Sequence, residues 1–213
     1  MLVGLFGWLS HETYDIDSVD YSKYLGPTWK TELQQHLQNK EPDSMWISNH
    51  IGGFFDVACF LTGPTVPAFT PLERFRKVPI LGYICEAIQC VWIDRGAPKD
   101  QLDIMVEAVA ERQRKIVEEK QSYNPVLAFA EGVNNNSTHL LKFKRGAFAA
   151  LRPVRPCYIV VQKCGIVTPT YDVMRFFDLI CLMISSCTMY RAKLHILPPF
   201  IPNDYLFREH GGK

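Results

Sequence analysis

Met45-Trp46-Ile47-Ser48-Asn49-His50-Ile51-Gly52-Gly53-Phe54-Phe55-Asp56 is the stretch on which the fold turns. Met45 to Ile47 is a short β-favouring run that ends in polar Ser48-Asn49, so it delivers His50 to the C-terminal edge of a strand. A flexible glycine pair and an aspartate follow. Histidine has the one side chain here whose ordinary pKa suits proton transfer near neutrality, and a carboxylate a few residues on can fix its tautomer and stabilise its charged form. His50 and Asp56 are therefore a candidate base and its orienter. A lone histidine at a strand end is more often a capping or surface group, so support for chemistry has to come from the rest of the chain.

At 213 residues and 47% hydrophobic content, the chain suits one domain with a substantial core. Lys+Arg 23 against Asp+Glu 22 leaves a net charge of +1, so no global field marks a nucleic-acid binder, and an anionic partner has to be met by a local patch. The seven cysteines (59, 85, 90, 157, 164, 181 and 187) are odd in number and lack C-x-x-C spacing. That argues against a disulfide framework and a zinc site, and for small apolar residues in a reducing compartment. No metal is expected. The first ten residues are apolar but have no basic flank and are too short to span a bilayer, so they read neither as a signal peptide nor as a span. Two readings stay open for them: an interfacial segment with Phe6 and Trp8 at headgroup depth, or a segment packed on the domain or a partner.

Residues 10–43 are polar and mixed, with a short helix expected over Thr31 to Asn39, and His11 and His36 read as solvated surface groups. Val57 to Leu61 continues as a helix ended by Gly63-Pro64. After the basic turn Glu73 to Pro79, a helix is expected over Ile80 to Ala87 and a buried strand over Gln89 to Ile93, leading to Asp94 and Arg95. Leu102, Met105, Val106, Val109, Ile116 and Val117 recur at helical spacing and mark the clearest helix, Lys99 to Lys120. Val126 to Ala130 reads as a strand ending at Glu131-Gly132. Next comes a cationic segment, Lys142, Lys144, Arg145, Arg152 and Arg155, of the kind that suits phosphate. Two more strands follow, Cys157 to Val161 and Leu194 to Leu197, and His195 on the latter reads as structural. Phe176 to Tyr190 is strongly apolar but too short to span, which points to a buried or membrane-facing helix.

In an open α/β sheet, ligands sit beyond the C-terminal ends of the strands. Here those ends carry His50 and Asp56, then Asp94 and Arg95, then Glu131 and Gly132. In that order the blocks resemble the PlsC-like glycerolipid acyltransferases, in particular the lysophosphatidylcholine and glycerol-3-phosphate acyltransferase branch. Tyr21 to Pro27 is similar to the lead-in of the lysophosphatidylcholine acyltransferases, and Asn49-His50 through Asp56 to the N-H-x4-D block. Val78 to Gly82 with Ile93 to Gly96 is similar to the second block, Phe129 to Gly132 with Leu141 to Phe148 to the third, normally F-P-E-G-T, and Val154 to Pro156 to the fourth.

The resemblance implies an α/β, single-domain acyltransferase-like fold, a mixed central sheet flanked by helices, over residues 21–202, with 1–20 as an extension and 203–213 as a short tail. It implies His50 as the base that deprotonates a glycerol hydroxyl, Asp56 holding the imidazole, and Arg95, Glu131 and Gly132 at the acceptor's phosphate. Arg95 would bind it directly and Glu131 would orient Arg95 or backbone groups. It further implies acyl-CoA as co-substrate with no bound cofactor, a lysophospholipid or glycerol phosphate as acceptor, and an intracellular phospholipid membrane, endoplasmic-reticulum or mitochondrial, as the place of work. A CoA-independent transacylase resembling tafazzin is equally open.

The chain departs from the pattern in ways that bear on activity. His50 and Asp56 have five residues between them where the family has four, Ala130 stands for the usual proline, and Val133 for a threonine. Set against the resemblance, the sequence is also expected to be shorter than typical relatives, without their upstream span and much of their C-terminal tail. A second reading therefore stands beside the enzyme: an acyltransferase-fold subunit without turnover, with a structural or lipid-holding role among the subunits of a larger membrane complex. Neither G-x-S-x-G nor G-x-x-x-x-G-K-[ST] occurs, which sets aside the best-known hydrolase and nucleotide-binding signatures.

Overall fold

The apolar runs at Met45 and Val126 become two short parallel strands, β3 (Met45–Ser48) and β4 (Val126–Phe129), with Met45 opposite Val126 and Ser48 opposite Phe129. All four β3 residues are buried, as a parallel strand covered on both faces requires. On its other side β3 runs parallel to β5 (Arg155–Cys164), which pairs antiparallel with β6 (Met189–Ile196). β6 is joined in parallel by β2 (Gly7–Thr13), and β2 pairs antiparallel with β1 (Leu2–Gly4). The result is one mixed six-stranded sheet in the order β1-β2-β6-β5-β3-β4. The computed structural model describes residues 2–4, 7–51, 54–94, 99–135, 139–164, 178, 181 and 189–211.

Successive side chains of a strand point to opposite faces, and the core divides accordingly. Trp46 packs with Cys59 and Phe60 of α3 (Phe54–Leu61), and with Leu127, Ile159 and Leu194, on one side. Met45 and Ile47 pack with Val109 of α5 (Lys99–Val117), and with Val126 and Val154, on the other. A third cluster joins α1 (Ser22–Leu25) and α2 (Trp29–Gln38) through Leu25, Trp29 and Leu33. α4 (Leu81–Ala87) packs against the 3-10 turn Glu73–Lys77 and sends Cys85 into the first of these clusters. Among the described residues no helix is long and apolar enough to cross a membrane.

Four expectations are corrected. Within the expected extension 1–20, Gly7–Thr13 belongs to the sheet, because β2 is paired with β6 along its whole length, from Gly7 opposite Tyr190 to Thr13 opposite Ile196. The tail is a helix, α6 (Asp204–His210), docked on α1. Asn203 caps it by accepting from the Leu206 N–H, while its own amide donates to Leu25 O and Glu32. Gln89 to Ile93 is not a strand of the sheet: Val91 and Ile93 N–H groups reach Phe69 O and Pro71 O, and only Ile93 and Leu72 form a bridge. Pro67 and Pro71 in the neighbouring segment have no N–H to donate, so a full ladder cannot form. His36 is buried rather than solvated, with Nδ1 2.9 Å from Glu41. Most of Phe176 to Tyr190 lies outside the described residues.

Candidate active site

β3 ends at Ser48, and the next two residues do different work. Pro156 lacks an N–H, and the parallel ladder between β3 and β5 stops at the pair Ile47 and Pro156. Asn49 continues the connection through its side chain: its amide donates to Ile159 O at 3.0 Å, and its carbonyl accepts the Ile159 N–H at 2.8 Å. This two-way clamp fixes the backbone from which His50 projects.

The His50 Nδ1 lies 2.8 Å from Asp56 Oδ2. That oxygen also accepts the Ile51 N–H at 2.8 Å, and the Asp56 side chain is fully buried while that of His50 is 18% exposed. A carboxylate facing Nδ1 suits Nδ1 as the donor of this contact, with Nε2 the ring nitrogen turned away from it. The ring stacks on Phe129, the last residue of β4, with centroids 4.0 Å apart and planes 11° from parallel. His50 is thus held by a carboxylate at one edge and an aromatic face beneath. With five residues intervening, the contact is still made: α3 starts at Phe54 and its first turn carries Asp56 to both the His50 ring and the Ile51 amide.

The loop after β4 is tied to the same point. Asn135 donates its backbone N–H to His50 O at 2.9 Å. Glu131 is buried, its Oε2 accepts from the Asn135 side-chain amide and from the Leu141 N–H, and its Oε1 takes no hydrogen bond from a described residue. Gly132 sits at φ +75 and donates its N–H to Phe129 O at 2.9 Å, and a Cβ there would come 3.2 Å from Lys144 Cγ. Glycine is required both by that dihedral and by the lysine lying across it. Of the five cations expected to suit phosphate, Arg152 is paired with Glu118 and Arg155 with Asp43. Lys142, Lys144 and Arg145 remain exposed beside the Gly132 turn. Arg95 lies outside the described residues.

Where β3 and β5 part, a cavity of about 570 Å³ opens. Asn49, Ile51, Ile159, Val161, Leu140 and Phe143 are among its walls, so it is mainly apolar, and both chain neighbours of His50 line it. Cys157 also lines it and Cys59 follows Asp56 on α3. Burial, with Asp56 nearby, pushes the Cys59 thiol up to about 12, and burial raises Cys157 still further. Burial thus opposes thiolate formation at both, which works against a nucleophilic role for either. Among the described residues no three metal-ligating side chains converge.

Sequence reasoning overlooked Asn49, Phe129 and Asn135 as site residues. Asn49 was adjacent to the histidine, and a polar side chain at the point where a strand meets a proline-bearing neighbour was the available signal.

Comparison with known proteins bears on this geometry. A protein-family model described as Acyltransferase matches residues 30–167. The chain is 30% identical over 162 residues to a lysophospholipid acyltransferase of Arabidopsis thaliana, a match covering 73% of this chain and 39% of that protein. It is 28% identical over 154 residues to lysophosphatidylcholine acyltransferase 2 of Homo sapiens, covering 71% of this chain and 27% of that one. The chain therefore spans well under half the length of these curated relatives. Among solved structures, the 1-acyl-sn-glycerophosphate acyltransferase of Thermotoga maritima superposes with a TM-score of 0.49 at 14% identity, over 95% of this chain and 68% of the other.

Proposed function

Because the protein belongs to the acyltransferase family, we propose that it moves an acyl chain from acyl-CoA to the free hydroxyl of a lysophospholipid or glycerol phosphate at a membrane surface. The observation that supports this reading is the His50–Asp56 contact at 2.8 Å, kept despite the extra residue. His50 Nε2 takes the proton of the acceptor hydroxyl as its oxygen attacks the thioester carbonyl carbon, and the buried Asp56 carboxylate stabilises the imidazolium that forms. As the tetrahedral intermediate collapses, the C–S bond breaks and the same proton passes to the thiolate, leaving ester and free CoA thiol. Positioned general-base help of this kind is worth on the order of 10²–10⁴ in rate.

The acyl chain occupies the apolar cavity between β3 and β5, whose volume is in the range of sites for lipid-sized ligands. The acceptor's phosphate lies over the Gly132 turn, with Arg95 bound to it directly and the exposed Lys142, Lys144 and Arg145 supplying further positive charge. Glu131 does not touch the phosphate; it holds the loop through Leu141 N–H and Asn135.

Purified protein incubated with labelled acyl-CoA and a panel of lysophospholipids and glycerol 3-phosphate, beside His50→Ala, tests the reading. Transfer that disappears in the variant supports it. Equal silence of both proteins, in vesicles where a verified family member works, replaces it with the subunit without turnover.

A further inference from the structure

Residues 73–84 form a protruding apolar tip in which every residue except Gly82 is exposed. The tip carries Phe75, Val78, Pro79, Ile80, Leu81, Tyr83 and Ile84, an exposed apolar run of a kind that marks a contact surface in a soluble fold. Its most prominent side chains are Ile80, 74% exposed, and Tyr83, 86% exposed. Neither lines the cavity between β3 and β5.

The backbone holds Ile80 out at a cost. Its φ is 67 and its ψ −52, and the Leu81 N–H closes on Pro79 O at 2.7 Å, a three-residue turn of the rare, strained sense. A β-branched residue is ill suited to positive φ, so the turn persists only because its surroundings fix it. They do so through Gly82: its N–H bonds Val78 O, and a Cβ there would stand 2.4 Å from Arg76 O. The turn directs an isoleucine outward where a glycine or asparagine would relieve the strain.

Charge identifies what the tip meets. Within residues 73–86 lie Arg74, Arg76 and Lys77 against Glu73 and Glu86. Arg76 bridges both acids, at 3.5 and 3.0 Å, and three cations against two acids leave the tip at a net +1, with Arg74 and Lys77 outside those bridges. Arg74 lies over the Phe75 ring at 5.0 Å, a cation held against an apolar surface. Apolar and aromatic residues at a tip flanked by cations match the layered chemistry of an anionic bilayer, with acyl boundary beneath and phosphates above.

We propose that residues 73–84 seat the protein on an anionic phospholipid bilayer, with Ile80 and Tyr83 entering at headgroup depth and Arg74 and Lys77 facing lipid phosphates. This rests on the reading that the substrates are membrane lipids, and it names the surface through which the protein reaches them.

The test is flotation of the full chain with phosphatidylcholine vesicles, with and without phosphatidylserine. Wild type is expected to float with the phosphatidylserine vesicles. Ile80→Asn with Tyr83→Ser should lower partitioning by on the order of 10²-fold. Arg74→Gln with Lys77→Gln should lower it by on the order of tenfold or more on phosphatidylserine vesicles only, each cation near an anionic surface being worth roughly fivefold. Ile104→Asn, at a 61% exposed position on α5, is the matched control and should float like wild type. Because Asn suits positive φ and Tyr83 is almost free in solvent, the first variant keeps its fold, which circular dichroism checks; Tyr83→Ser alone is the fallback, with a smaller loss in the same direction. Wild type that stays unbound, tip variants that float unchanged, or an Ile104→Asn loss of equal size each overturn the proposal. Acyl transfer to detergent-dispersed lysophospholipid separates the two readings: transfer without vesicle binding removes the docking face alone, and binding through the tip without transfer removes the enzyme alone.

Discussion

Two histidines in this molecule each stand beside a carboxylate and a stacked aromatic ring, yet their surroundings prepare them for opposite behaviour. His50 has Asp56, buried, held by the Ile51 N–H and 2.8 Å from Nδ1. His195 on β6 stacks on Tyr158 at 4.3 Å and meets the Tyr14 hydroxyl at 2.9 Å, while its carboxylate, Glu12, stands 3.6 Å away and is shared with Lys193 at 2.6 Å. A carboxylate out of solvent and oriented by backbone can stabilise a transient positive charge. A carboxylate already paired with a lysine and a tyrosine hydroxyl cannot do so to the same extent, and burial together with the Lys193 charge pushes the His195 pKa down. What separates the two sites is burial and distance: Asp56 is out of solvent and 2.8 Å from its ring, whereas Glu12 is partly exposed, 3.6 Å away and shared with Lys193.

The sharpest way to break this contrast is exchange at the two rings. His50→Ala should lower transfer by on the order of 10²–10⁴, whereas His195→Ala should leave the rate of the folded protein unchanged; steady-state kinetics on both variants decides it. Asp56→Asn comes next. An amide at that position donates to Nδ1 and fixes the wrong tautomer, so kcat should fall on the order of 10²–10⁴, with the loss read as kcat against KM.

A smaller effect is expected at the clamp. Asn49→Ala leaves Ile159 N–H and C=O without their partners, which should cost about 1–3 kcal/mol of stability, measured by urea unfolding at constant m-value. The smallest effect concerns pH. With the folded His195 pKa below its ordinary 6.5, the unfolded chain takes up that proton first as pH falls, so stability declines through about pH 6.5 and below. His195→Gln, which can still bond the Tyr14 hydroxyl, should flatten that acid limb in thermal midpoints taken between about pH 5 and 7.

Much of the contrast was legible in the chain. A short apolar run ending in polar residues placed His50 at a strand edge, and the strands around Val126, Cys157 and Leu194 were marked by their own composition. Local pattern could not reveal pairings made at a distance. β2 joins the sheet only by lying along β6, more than 180 residues later in the chain, and its residues carry no sign of that partner. Gln89 to Ile93 misled in the reverse direction: its β-branched and aromatic residues favour a strand, but the segment it would pair with is interrupted by Pro67 and Pro71. The extra residue between His50 and Asp56 looked like a lesion because spacing was counted along the chain. In space, the start of α3 at Phe54 sets where Asp56 falls.

The Asn49 clamp also makes Ile159 a gauge. On the side of β5 that faces β3, the Ile159 amide hydrogen is held by one side chain instead of a ladder of neighbours. Its exchange with deuterium therefore follows the opening of the fork between the two strands, separately from the unfolding of the sheet. A molecule that fills the fork should slow this one hydrogen while leaving those shared by β5 and β6 almost unchanged, giving an occupancy readout that requires neither turnover nor a labelled ligand.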